Sequence, residues 1–166
     1  MFSQGIYTTV HVMLSLIGIA SGCLVAMGLL VSKRAGVMTQ VFLATTVLTS
    51  LTGFGFPFTH VTPAHIVGAI SLVVLAAAIY ARYGARLTRG WRAAYVVTAM
   101  LAFYFNTFVL VVQLFQKVPA LKSLAPTQSE PPFAIAQLVV LVVFVALTVA
   151  AVMTFHPEKN VERASI

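Results

Sequence analysis

The sequence predicts an all-α fold, an integral membrane bundle of five transmembrane helices. Three observations carry this. Five long apolar runs fill most of the 166 residues, at about 7–31, 37–58, 65–83, 93–115 and 133–155. Each is near the ~20 residues that a helix needs to cross the hydrocarbon core of a bilayer. Charge is confined to the breaks between runs and the C-terminal tail, with only Arg82 at the very end of the third run. Finally, the chain is 60% hydrophobic and 8% charged, where a soluble domain carries about 25% charged residues. The breaks leave no room for a separate soluble domain, so the whole of 1–166 reads as one membrane domain.

In the first run, His11, Ser15, Gly18 and Gly22 are spaced four, three and four, which places them on one helix face. Gly18 and Gly22 form a small-xxx-small pair that lets a second helix approach closely. Met1–Thr9 carries no Lys or Arg, which is not the basic start of a signal peptide. Cys23, the single cysteine, excludes an internal disulfide and a Cys-x-x-Cys pair. It reads as a small buried helix residue.

The second run has a hydroxyl-rich half, with Thr45, Thr46, Thr49, Ser50 and Thr52 before Gly53-Phe54-Gly55-Phe56-Pro57. Each hydroxyl can bond back to its own helix carbonyls. The glycines and the proline loosen and end the helix. His60 falls in the short loop that follows. Pro63 opens the third helix, His65 lies in its first turn, and Gly68 shares the His65 face.

The third break holds Arg82, Arg86, Arg89 and Arg92, interleaved with Tyr83, Trp91 and Tyr95. A basic, aromatic turn of this kind binds anionic lipid headgroups. The fourth run carries Asn106, Gln113 and Gln116, whose amides need hydrogen-bond partners in hydrocarbon. Hydroxyls of the second helix and Gln137 of the fifth are the expected partners of Asn106 and Gln113. The segment from Lys117 to Pro132 holds four prolines, cannot be one regular helix, and is expected to cap the polar cluster. The fifth run, apart from Gln137 and Thr148, reads as a lipid-facing scaffold.

Basic residues mark the cytoplasmic side. Lys33 and Arg34 after the first run, and the arginines after the third, put the N-terminus outside and the C-terminus inside; Lys117 and Lys122 dissent. With that orientation His11, His60, His65, Gln113, Glu130 and Gln137 gather toward the outer leaflet. His11, His60 and His65 are the ligand or metal candidates. Ser15, Thr49, Asn106, Gln113, Glu130 and Gln137 are the pocket-lining ones. Neutral imidazole ligates haem iron, copper or zinc. His11 and His65 could therefore hold a b-type haem, or the three histidines a metal ion. A quinone, or hydrogen bonding alone, remains open beside these.

Two stretches carry a resemblance. They are Thr45-Thr46-Val47-Leu48-Thr49-Ser50-Leu51-Thr52-Gly53-Phe54-Gly55-Phe56-Pro57 and Ala125-Pro126-Thr127-Gln128-Ser129-Glu130-Pro131-Pro132-Phe133. With the helix layout around them, they resemble a family of small polytopic bacterial inner-membrane proteins. The resemblance implies that location and no catalytic residue. The sequence contains no nucleotide loop, zinc-protease helix or nucleophile motif. No carboxylate lies in any run, so a proton-coupled transporter lacks its usual relay group. Binding is thus favoured over catalysis, as a ligand-binding or accessory subunit, with a haem- or quinone-binding redox protein and a small-molecule transporter as alternatives. The partners expected are the lipid bilayer, other membrane subunits or a second copy of the chain. Nucleic acid is not expected, because the positive charge is restricted to loops.

Overall fold

The computed structural model describes residues 2–56 and 63–156. Six helices follow in order: α1 (Phe2–Leu30), α2 (Gly36–Gly53), α3 (Pro63–Ile79), α4 (Trp91–Lys117), α5 (Pro119–Leu124) and α6 (Pro131–Thr154). A single π-helical turn, Tyr80–Gly84, prolongs α3. No strand occurs among the described residues. The five long helices are long and apolar enough to cross a membrane, as the apolar runs predict. α5 is a short turn inside the proline-rich segment.

Helix ends follow local chemistry. α1 closes on Ser32, whose left-handed backbone (φ 55°) lets Lys33 N–H reach the Gly28 carbonyl at 2.8 Å and Ser32 N–H the Leu29 carbonyl at 3.2 Å. This paired capping satisfies carbonyls that the helix itself leaves unpaired. α6 opens on Pro131 and Pro132, which have no N–H to satisfy. The Glu130 carbonyl receives the next two amides, Phe133 at 3.1 Å and Ala134 at 3.3 Å. The second run departs from expectation. It reads as apolar through Phe58, yet α2 ends at Gly53. Glycine costs about 1 kcal/mol against alanine inside a helix, and Gly53 and Gly55 bracket Phe54 where the helix stops.

The packing order places the polar residues. α1 packs most extensively on α2 and also touches α4 and α6. α3 packs on α2 and α4, and α4 on α6. The chain thus closes a ring α1–α2–α3–α4–α6, with α1 and α4 also meeting across it. The core lies toward the Arg92 end: Val25, Leu29, Phe42, Leu75, Tyr95, Val96, Phe103, Phe144, Ala151 and Phe155 are buried together. α6 buries only Phe144 and Ala151 fully. Its Val139, Val142, Val145, Val149 and Met153 face outward, the lipid-facing scaffold that its sequence implies. Contiguous apolar surface of this extent is not sustained in water and fits a multi-pass membrane protein. Cys23, expected to be buried, is exposed.

Candidate functional site at the His11 end

The face of α1 read from the spacing of His11, Ser15, Gly18 and Gly22 does meet its neighbours. A Cβ on Gly18 would lie 2.9 Å from Nδ2 of Asn106, 3.2 Å from the Thr46 hydroxyl and 3.3 Å from that of Thr45. One on Gly22 would lie 2.7 Å from the Phe103 ring. Both glycines therefore sit at helix contacts, as small-xxx-small pairs do.

One turn above Gly18, the Ser15 hydroxyl donates to Oδ1 of Asn106 at 2.9 Å, and Nδ2 of Asn106 returns to the Ser15 carbonyl at 3.4 Å. Asn106 is 7% exposed, so this reciprocal pair answers the cost of burying an amide. The partner of Asn106 is thus on α1, while the hydroxyls of α2 lie beside it. Most of those hydroxyls bond back within α2: Thr45 to the Val41 carbonyl at 2.7 Å and Ser50 to that of Thr46 at 2.9 Å.

At the end of the face stands His11, half-buried, with Nδ1 2.8 Å from the Thr52 hydroxyl oxygen. That hydroxyl has one proton, and it lies 2.7 Å from the carbonyl of Leu48. Donation there leaves its oxygen to accept from Nδ1–H. The imidazole is then the Nδ1-protonated tautomer, and Nε2 carries an unshared pair. Among the described residues, Nε2 has no hydrogen-bond partner. The Tyr7 hydroxyl donates to the Thr52 carbonyl at 2.6 Å. Phe56 sets its ring edge-to-face against both Tyr7, at 5.0 Å, and His11, at 5.1 Å. Gly55 lacks the Cβ that would collide with the Tyr7 ring. Thr52 is the hub: its carbonyl holds Tyr7 and its hydroxyl holds His11.

The remaining candidates fall into separate sets. His65 packs against Phe54, ring centroids 5.8 Å apart, and Gly68 leaves room for the same ring, whose atoms would lie 3.4–3.5 Å from a Cβ. α1 and α3 are thus engaged by different residues of the α2 terminus, His11 by Thr52 and Phe56, His65 by Phe54. His60 lies outside the described residues. Among those described, no group of three or more His, Cys, Asp or Glu side chains is placed to hold a metal ion. Gln137 donates to the Phe108 carbonyl at 3.2 Å, and Gln113 and Thr49 are half-buried.

Glu130 accepts from Thr127 N–H at 3.1 Å, the Thr127 hydroxyl at 2.9 Å and Ser129 N–H at 3.0 Å. Slight desolvation raises its carboxyl pKa, but these bonds outweigh it and hold the group below its ordinary value. The loop is tied down by Gln128, which donates to the Val112 carbonyl at 2.8 Å. These hydrogen bonds hold Ser15 with Asn106, His11 with Thr52, Gln137 with Phe108 and Glu130 with its own loop. Most of these groups find a partner on their own or a neighbouring helix, while among the described residues the Thr46 and Thr49 hydroxyls and Oε1 of Gln137 are buried without one.

The expected headgroup arginines also divide. Arg82 lies over the Tyr95 ring at 5.1 Å and the Tyr83 ring at 5.7 Å. Nη1 of Arg92 donates to the carbonyls of Val152 at 2.9 Å and Phe155 at 2.5 Å. Arg86 and Arg89 are exposed. The role of Arg92 was invisible in the sequence, because its partners are backbone atoms. No protein-family model, curated protein or solved structure matches this chain.

Proposed function

We propose that this chain is a small ligand-binding or accessory subunit of the bacterial inner membrane, with its site at the outer leaflet around His11. One observation carries the reading. An imidazole stands within an apolar helix, held through one ring nitrogen by Thr52, with no hydrogen-bond partner for the other nitrogen among the described residues. Ionisable groups inside a span are costly and mark functional positions by default. Hydrogen bonding alone explains Ser15 and Asn106, whose groups satisfy each other. It leaves half of the His11 ring unaccounted for. The ligand class is a small molecule that offers a hydroxyl or N–H donor to Nε2.

The test is native mass spectrometry of the gently extracted protein against His11→Phe, which keeps an aromatic ring beside Phe56. A small-molecule adduct present in the wild type and lost in His11→Phe, at similar melting temperature, is the expected result. Identical spectra from the two proteins would remove the reading. The same unshared pair suits a quinol hydroxyl or a haem iron, and a reduced b-type absorption band in the purified protein would replace binding by redox function.

The orientation rests on the basic residues. Lys33, Arg34, Arg86, Arg89 and Arg92 all lie at the helix ends opposite His11, which favours that end as the cytoplasmic one against Lys117 and Lys122 at the other. A reporter fused at the C-terminus is expected to be active only as a cytoplasmic marker. Activity of a periplasmic reporter there would invert the assignment.

A further inference from the structure

We propose that the turn between α3 and α4 is a binding site for the phosphate of one anionic phospholipid, held by Arg86 and Arg89 beside Trp91. The proposal needs a membrane at this end of the bundle and is independent of the His11 reading. Two of the four arginines here are already engaged within the protein. Arg82 covers Tyr95, and Arg92 serves the carbonyls of α6. Each thus has a partner inside the protein. Arg86 and Arg89 are exposed, and among the described residues the sole carboxylate side chain is Glu130, which lies at the opposite helix end.

The two exposed arginines flank a buried residue in a turn of unusual backbone. Arg86, Leu87 and Arg89 all have left-handed φ values, 51°, 61° and 49°. Such values are uncommon for residues other than glycine. Between the arginines, Leu87 is 5% exposed and belongs to the core cluster, so it plugs the turn inward and leaves its neighbours outside. Leu87 N–H reaches back to the Ala81 carbonyl at 3.0 Å, which ties the turn to the π-helical segment. The Arg89 side borders a shallow recess of about 530 Å³ lined by Thr88, Arg89, Gly90, Trp91 and Ala94.

The aromatic residues fix the depth. Trp91 and Tyr80 pack edge-to-face at 5.0 Å, and both are substantially exposed, 42% and 56%. Rings with an apolar body and a polar edge sit at the headgroup level of a bilayer. Their position at the start of α4 and the end of α3 brings the recess to the height of lipid phosphates. Guanidinium groups bind phosphate in a planar, two-pronged manner, and juxtamembrane arginines draw anionic lipids. A lipid phosphate is favoured over a free one, because the exposed Trp91, together with Ala94, lines the recess beside Arg89.

The test uses the full chain in detergent, with native mass spectrometry and thermal melting after addition of phosphatidylglycerol or of phosphatidylcholine with the same acyl chains. Preferential retention of phosphatidylglycerol and a melting temperature raised by several degrees are expected. In the double variant Arg86→Gln/Arg89→Gln, binding of phosphatidylglycerol should weaken about tenfold, the order expected for losing charge-assisted phosphate contacts. Both side chains are exposed, so folding should be kept. Arg86→Lys/Arg89→Lys should retain part of the preference, which separates charge from a folding defect. Equal response to the two lipids, an undiminished response in the glutamine variant, or an equal effect of inorganic phosphate alone would each overturn the proposal.

Discussion

Replacing Gly18 and Gly22 together by leucine should abolish the native packing of α1. The new Cβ at Gly22 would lie 2.7, 3.0 and 3.1 Å from three atoms of the Phe103 ring, inside van der Waals contact. That ring cannot swing aside freely. It packs edge-to-face on Phe42 at 6.2 Å and on Phe144 at 4.8 Å, so it is clamped between α2 and α6. At Gly18 the obstacle is Nδ2 of Asn106, held by its bonds to Ser15. Overpacking a well-filled core costs about 1–3 kcal/mol even for small additions. Two leucines at one seam should exceed roughly 4 kcal/mol, a large share of the ~5–15 kcal/mol that stabilises a typical protein.

Gly22→Ala alone should already destabilise, although alanine gains about 1 kcal/mol in helix propensity. Gly5, on the same helix, is the control. An added Cβ there would meet nothing within 4 Å, so Gly5→Ala should be neutral or stabilising. Thermal melting in detergent checks all three. Unchanged melting of the double leucine variant would mean that the α1 seam is not where the bundle closes.

The contact at Gly18 and Gly22 was legible because its signal is local. Glycines four apart on one face report a close approach without naming the partner. The five long helices were legible for a similar reason, since apolar length alone marks a span. What failed to show was the pairing of polar groups on distant segments. Nothing in the sequence links Ser15 to Asn106, 91 positions away, because several hydroxyls were equally suitable on paper. His11 and His65 both meet the end of α2, the one through Thr52 and Phe56 and the other through Phe54, an arrangement in azimuth that depth along the helices does not carry. The end of α2 was half-visible: Gly53 and Gly55 carried the stop, while the apolar phenylalanines around them extended the run.

Arg92→Gln is the second large effect expected, and it separates internal capping from lipid anchoring. The last carbonyls of any helix lack intrahelical partners, and a cation there also complements the helix dipole. In this chain Nη1 of Arg92 serves the carbonyls of both Val152 and Phe155. The same terminus is held by two further ties: the Thr154 hydroxyl to the Leu29 carbonyl at 3.3 Å, and His156 N–H to the Ser32 hydroxyl oxygen at 2.8 Å. Phe155 is fully buried and packs on Tyr95 at 6.2 Å. A loosened terminus would therefore expose the core between α1, α4 and α6. Hydrogen bonds from a charged donor contribute about 1.5–3 kcal/mol, so loss of the guanidinium should cost on the order of 2–4 kcal/mol once the carbonyls left without it are included. Arg92→Lys should recover part, because an ammonium keeps the charge and donors but not the planar geometry. The loss should appear in detergent free of anionic lipid, with faster hydrogen exchange in the last turn of α6. A variant that melts normally there and weakens only when phosphatidylglycerol is present would return Arg92 to the headgroup role and leave the α6 terminus to its ties with α1.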